Sequence, residues 1–383
     1  MSAAQNDSHV DLRKLLNRPL KSVDESLVRS EFEGKTVLVS GAGGSIGSEI
    51  CRQLVKFGTR TIVMLEASEF NLYQIDLTLR ETAEYRNGAT RIHSYLQSAT
   101  DRTSVRRIFR EHRPDTVLHA AAFKHVPLVE ANPVPGIRNN INSTLVLAEA
   151  AVDFGTSTFL LVSSDKAVNP ANVMGMSKRC CEMIIQSIEQ TCPGRVRFMA
   201  VRFGNVLASS GSVIPRFLDQ IRLGGPVTVT HRDVTRYFMM VEEAVGLVLQ
   251  ASAMASGGEI FVLDMGQPVK IMDLAERLIR VNGLEPYRDI PIEFTGLRPG
   301  EKLYEELILE GDEVATPHGD IFIAIPEPID AISILSSMRK LIDMTELEDS
   351  TPCVTAIRQI VFGTNRQNLT RAIHSDRPAM RAS

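Results

Sequence analysis

Thr36-Val37-Leu38-Val39-Ser40-Gly41-Ala42-Gly43-Gly44-Ser45-Ile46-Gly47 is the stretch whose reading decides the fold. Thr36–Ser40 is a short apolar run, predicted to be a buried strand. It enters a glycine-rich loop directly, and residues 46–57 follow with the pattern of a helix. Gly41, Gly44 and Gly47 let the backbone turn tightly, approach a pyrophosphate and pack the helix close to the strand. The helix start, with Ser45 and Ile46 in its first turn, offers unpaired N–H groups and a partial positive charge to phosphates. A strand before the loop and a helix after it mark a dinucleotide-binding turn; a lone glycine pattern would not.

Working outward, the second strand, 61–65, ends at Glu66, 19 residues past Gly47. A carboxylate there suits an adenosine ribose and repels a 2′-phosphate, which favours NAD over NADP. The same carboxylate is placed to cap the next helix. Asp101, after the third strand, suits an adenine contact and equally the N-cap of the helix behind it.

The rhythm continues. Strands are predicted at 90–96, 116–119, 158–163 and 196–202, with helices at 69–84, 101–111, 133–154 and 173–190. Near-continuous apolar strands alternating with helices signal a parallel sheet covered on both faces. The expected class is α/β, a Rossmann-type doubly wound parallel sheet with a smaller mixed α/β substrate-binding part. The expected division is an arm at 1–33 and an NAD-binding domain at 34–203, to which 241–265 returns. Residues 204–240 and 266–335 form the substrate part, and 336–383 a C-terminal helical segment with a loose tail.

Bulk properties exclude several classes. A net charge of −4 over 383 residues gives no reason to expect nucleic acid or an anionic membrane as partner. No apolar run reaches the roughly 20 residues a membrane span needs. Residues 1–10 are polar and lack a signal-peptide core. The five cysteines, Cys51, Cys180, Cys181, Cys192 and Cys353, include no CxxC pair, so neither a metal site nor a disulfide framework is expected. Free thiols fit a cytoplasmic protein.

The spacing Gly41-x-x-Gly44-x-x-Gly47 resembles the extended short-chain dehydrogenase/reductase superfamily. Its members usually carry Tyr-x-x-x-Lys on the helix after the fifth strand. Here that place reads Met174-Gly175-Met176-Ser177-Lys178. Lys178 can hydrogen-bond a nicotinamide ribose, but Met174 cannot carry a proton. With that departure the chain resembles the nucleotide-sugar 4,6-dehydratases of polysaccharide biosynthesis, specifically the UDP-N-acetylglucosamine branch with methionine here. The resemblance spans about 34–325. Besides the glycine loop, its markers are residues 120–127, 163–170, 202–207, 235–239 and 297–303. Many family members carry membrane helices before the catalytic domain, and the arm at 11–19 makes this chain resemble the short soluble form.

The resemblance implies a chemistry. The sugar is oxidised at carbon 4, the carbon-5 proton becomes acidic, water leaves across carbons 5 and 6, and the hydride returns to carbon 6. NAD is thus recycled within each turnover. Asp165 is expected to protonate the leaving 6-hydroxyl, and Lys166 to take the carbon-5 proton. A lysine base must fall by roughly 3 units from about 10.4, a shift expected from burial and from Lys124 or Lys178 nearby. The base for the 4-hydroxyl stays open among Ser164 as a relay, Asp165 acting twice and a water held by Lys178.

The remaining assignments are carried over from the family. Ala120, Ala121, Ala122 and Asn140 would border the cofactor, and Lys124 and His125 the sugar. Arg236 and Arg298 would hold the diphosphate, Glu301 the uridine ribose, and Asn205 the sugar or its first phosphate. A homodimer or higher oligomer through the helices at 133–154 and 173–190 is implied. A bare structural Asp165–Lys166 ion pair, an epimerase and a non-catalytic nucleotide-sugar sensor are the competing readings.

Overall fold

The structure, a computed structural model, describes residues 16, 18–82, 85, 88, 90–207, 209–308, 313–325 and 327–363. Most of the arm before Arg18, the end of the helix predicted to reach 84, and the polar tail at 366–383 lie outside the described residues.

The strands in chain order are β1 (Thr36–Ser40), β2 (Thr61–Glu66), β3 (Arg91–Leu96), β4 (Thr116–His119), β5 (Thr158–Val162) and β6 (Arg197–Arg202). Then come β7 (Asn205–Val206), β8 (Val227–Val229), β9 (Thr235–Arg236), β10 (Phe238–Met239) and β11 (Ile260–Leu263). The last are β12 (Val269–Lys270), β13 (Ile292–Phe294), β14 (Glu313–Ala315) and β15 (Ile321–Ala324). Among the described residues, nine of them form one sheet in the order β14-β15-β11-β6-β5-β4-β1-β2-β3. β1 to β6 and β11 run parallel, and β15 and β14 close one edge antiparallel.

Alternate residues along each strand enter different apolar cores. Leu38, Val63 and Leu161 join one face, and Val37, Ile62 and Leu160 the other. Both faces are therefore covered, which is why these strands read as unbroken apolar runs. The chain order reverses at β1, which lies between β4 and β2. The glycine loop leaves the carboxyl end of β1, so it sits at the switch point where such sheets bind ligands.

Three expectations need correction. The single helix predicted for 133–154 is interrupted: Pro133–Ile137 passes through a π turn, Arg138–Asn142, into Ser143–Phe154. A π turn accommodates a wider ring within a helix without changing its apolar pattern, so periodicity does not reveal it. Residues 313–324, assigned to the substrate part, return to the main sheet, with β15 paired to β11. The third concerns association. Helices Ala331–Thr345 and Ser350–Phe362 pack on Val173–Thr191. Met338, Leu341, Cys353 and Ile357 share one core with Cys180, Ile184 and Ile188, and Arg339 pairs with Glu149 at 3.0 Å. The chain's own C-terminal helices thus cover part of the face expected to meet a second copy.

The described part of the arm is fastened down. Arg18 pairs with Glu243, Lys21 reaches both Asp264 and Asp320 at 2.6 Å, and Asp24 caps the helix Glu25–Phe32.

Candidate active site

The glycine loop is dictated by close approach. Gly41 has φ +67°, the left-handed region, and a Cβ there would stand 2.7 Å from the Ala121 backbone. A Cβ on Gly47 would stand 2.0 Å from the Gly41 carbonyl oxygen, and one on Gly43 2.5 Å from the Asn71 Cβ. Gly44 differs. A Cβ there would meet only the Gly41 carbonyl oxygen, at 3.4 Å, an ordinary contact. The protein's own packing thus demands glycine at 43, which the spacing pattern passes over, and does not demand it at 44. Gly44 N-caps the helix Ser45–Lys56 and lines the main cavity, where a bare backbone leaves room for a ligand. Glu66, at the end of β2, accepts the Gly43 N–H and the Ser68 N–H, each at 2.9 Å.

A cavity of about 770 Å³ opens beyond the carboxyl ends of the strands. The phosphate loop, including Ser45, Ile46 and Gly47, forms one wall, with Ala120 and Ala122 beside it. Lys124, His125 and Asn205 line another side, and Ser164, Lys166, Met174 and Lys178 the floor. A volume of this size suits a nucleotide-class ligand.

The floor is built by a turn and a helix start. After β5 the chain makes a 3-10 turn, Asp165–Ala167, capped by Ser164, whose Oγ accepts the Lys166 N–H at 3.2 Å. The helix Val173–Thr191 begins soon after, capped by Asn172, which accepts the Gly175 N–H at 2.7 Å. Asp165 is buried. Its Oδ1 accepts from the Ser164 hydroxyl at 2.8 Å and from the Lys166 ammonium at 3.0 Å. Its Oδ2 is buried with no hydrogen-bond partner among the described residues. Lys166 also donates to the Asn205 carboxamide oxygen at 3.3 Å.

The expected depression of Lys166 is not found. Burial pushes its ammonium down, but the carboxylates of Asp165 and Glu305 outweigh that, and the net direction is up. The depressed lysines are Lys124 and Lys178, both lowered chiefly by burial. Among the described residues neither has a carboxylate within ion-pairing distance, so both remain available to an anionic ligand. Lys178 donates to the Val162 carbonyl at 2.7 Å.

Beneath the floor lies a buried network. Glu182 accepts from the Ser163 hydroxyl at 2.7 Å and from Arg202 at 2.8 and 2.7 Å. Burial pushes its carboxyl up, but Arg202, Arg179 and Ser163 outweigh it and bring it down to about 2. Ser163, on the cavity wall, is thereby tied to the helix Val173–Thr191.

Several expected contacts stand away from the wall. Asp101 caps the helix Arg102–His112, accepting from Thr103 and Ser104. Ala121 presses its backbone on Gly41. Asn140 is buried, and its carboxamide binds both backbone groups of Phe123, at 2.7 and 3.1 Å, and the Ser177 hydroxyl at 2.8 Å. It braces the loop after β4 against the helix that carries Lys178. Arg236 donates to the Lys302 and Leu303 carbonyls and to Glu301, at 2.8, 3.1 and 3.3 Å. Arg298 is exposed. One residue escaped the sequence reading. Glu305 is buried 3.9 Å from Lys166, and its only signal is that it follows the motif at 297–303 in a run of carboxylates.

Among the described residues there is no His, Cys, Asp or Glu cluster suited to a metal ion, and no helix long and apolar enough to cross a membrane.

Comparison with known proteins agrees with this geometry. CapD of Staphylococcus aureus, a capsular polysaccharide biosynthesis protein, is 52% identical over 303 residues, which is 79% of this chain and 50% of CapD. This chain therefore spans about half the length of that relative. The crystal structure of Pen from Bacillus thuringiensis superposes with a TM-score of 0.70 at 33% identity, covering 78% of this chain and 90% of Pen. DesIV of Streptomyces venezuelae, a dTDP-glucose 4,6-dehydratase solved with NAD and TYD bound, shares the fold. Its TM-score is 0.63 at 19% identity, covering 83% of this chain and 99% of DesIV. Residues 37–326 match the family described as polysaccharide biosynthesis protein. The chain belongs to that family, on the extended short-chain dehydrogenase/reductase fold.

Proposed function

We propose that this protein is a hydro-lyase, an NAD-dependent 4,6-dehydratase of UDP-N-acetylglucosamine. Its product is a UDP-4-keto-6-deoxy-N-acetylhexosamine with carbon 5 retained, made in the cytoplasm for surface polysaccharide. The observation that carries this is the Asp165–Lys166 turn opening, through Ser164 and Lys166, onto the cavity that the glycine loop lines, with Met174 on the same floor. NAD fits the cradle on two counts: Gly44 leaves backbone room that the protein itself does not need, and Glu66 is fixed against the loop. Bound there, NAD supplies the hydride acceptor at carbon 4 and the donor at carbon 6. Lys178 holds the nicotinamide ribose.

The protein groups balance the protons. The 4-hydroxyl proton passes through the Ser164 hydroxyl to Asp165, along the 2.8 Å hydrogen bond between them. Asp165 gives that proton to the departing 6-hydroxyl, which leaves as water. Lys166 takes the carbon-5 proton and later returns it. Lys124, His125 and Asn205 border the sugar. Arg236 and Arg298 are assigned to the diphosphate, and Glu301, which Arg236 holds at 3.3 Å, to the uridine ribose.

The test is incubation with UDP-N-acetylglucosamine and a product mass. Loss of one water supports the proposal. An unchanged mass with a new configuration marks an epimerase, and ligand binding without turnover marks a sensor.

A further inference from the structure

We infer that Glu305 is the proton partner of Lys166: it takes the ammonium proton and so frees the amine to act at carbon 5. The inference rests on the assignment of Lys166 above. Lys166 sits between two carboxylates, 3.0 Å from Asp165 and 3.9 Å from Glu305. An ammonium so placed is not a base. Something within reach must accept its proton, and Asp165 is already engaged with Ser164 and the 6-hydroxyl. Among the described residues Glu305, at 3.9 Å, is the other carboxylate within ion-pairing distance.

Its position is fixed by the fold. The segment carrying it is fastened to the stretch that follows the catalytic turn. Asn172 donates to the Gly300 carbonyl at 2.9 Å, Lys302 to the Val168 carbonyl at 3.3 Å, and Asn169 to Glu306 at 2.8 Å. From the other side Arg236 grips the Lys302 and Leu303 carbonyls and lies 3.9 Å from Glu305. Glu305 is 8% exposed, and burial pushes its carboxyl up in spite of Lys166. Burial acts on Lys166 in the opposite sense. On Lys166 the two carboxylates outweigh burial and the net direction is up, so it is the raised Glu305 carboxyl alone that favours moving the proton between them.

The exchange is balanced. One N–H bond of the Lys166 ammonium breaks and one O–H bond forms on the Glu305 carboxylate, so a charged pair becomes a neutral one with no change in net charge. The Lys166 amine then takes the carbon-5 proton and becomes an ammonium beside the carbanion. When that proton returns to carbon 5, Glu305 gives its own back to Lys166, and the pair ends as it began. Glu305 acts through Lys166 and is a positioning residue.

The experiment reads Lys166 directly. Glu305→Gln, Glu305→Asp and the unaltered protein are reductively methylated with formaldehyde across a pH series, and modification of Lys166 is mapped by peptide mass spectrometry. Removing the carboxylate is expected to lower the labelling midpoint by about one pH unit or more. Glu305→Asp, which draws the charge back by one methylene, is expected to fall between. With UDP-N-acetylglucosamine, kcat of Glu305→Gln should drop at least about tenfold with KM little changed, and Glu305→Asp should recover part of it. A midpoint unmoved in both variants overturns the inference. If the midpoint moves but the unaltered protein removes no water from the sugar, the Lys166–Glu305 pair stands and the dehydratase falls. If water is lost and neither midpoint nor kcat moves, only the pair falls.

Discussion

A Cβ on Gly175 would stand 2.3 Å from the carbonyl oxygen of Lys166. The first turn of the helix that carries Met174 and Lys178 thus presses on the turn that carries Asp165 and Lys166. Only a glycine lets these two pieces of the cavity floor meet. Gly175→Ala forces the turn and the helix apart, an overpacking strain of about 1–3 kcal/mol. The expected result is a lower melting temperature with a larger fractional loss of turnover, because the displaced turn holds both proposed proton carriers. A variant with unchanged turnover would show that their spacing is not critical.

Lys178 is buried and bonds only the Val162 carbonyl among the described residues. Lys178→Met keeps the length and removes the donor. A hydrogen bond from a charged group contributes about 1.5–3 kcal/mol, so NAD affinity should fall by about 10- to 100-fold. The ratio of bound NAD to protein after purification, read by absorbance after acid release, checks this.

The Glu182–Arg202 pair sets an acid limit. The Glu182 carboxyl is lowered from 4.5 to about 2. A depressed acid contributes stability that is complete above its unfolded value and is lost as pH falls through the folded one. This contribution should therefore be intact above about pH 4.5 and fade towards pH 2. Glu182→Gln leaves Arg202 buried without its partner and should cost about 3–5 kcal/mol near neutral pH, with much of that acid dependence gone. Urea unfolding as a function of pH measures both.

The C-terminal helices cover an apolar face that includes Ile184 and Ile188. Ending the chain after Pro328 uncovers it. The shortened protein is expected to associate or precipitate, seen as a rise in light-scattering mass over the full chain. An unchanged mass and melting temperature would show that this cover contributes little.

How much of this was legible in the sequence depends on distance along the chain. The glycine loop, Glu66 and the Asp165–Lys166 pair are read within short stretches, because strand ends place neighbours in sequence side by side in space. Glu305 is invisible from Lys166, since only the fold brings a loop beyond β13 back over β5. The raised proton affinity of Lys166 was hidden for the same reason: the second carboxylate that sets it is remote in sequence. Asn140 was expected to border the cofactor, but its place as a brace depends on Phe123 and Ser177, which only packing supplies. The C-terminal helices were expected as helices, yet no local pattern says which face they cover.

The central claim is a dehydration in which hydride leaves carbon 4 and returns to carbon 6 of one sugar. UDP-N-acetylglucosamine deuterated at carbon 4, given to the purified protein without added cofactor, tests it most directly. The predicted result is a dehydrated product with the deuterium in its carbon-6 methyl group. Deuterium found again at carbon 4 of a sugar of unchanged mass, or only in released dinucleotide, would contradict the account.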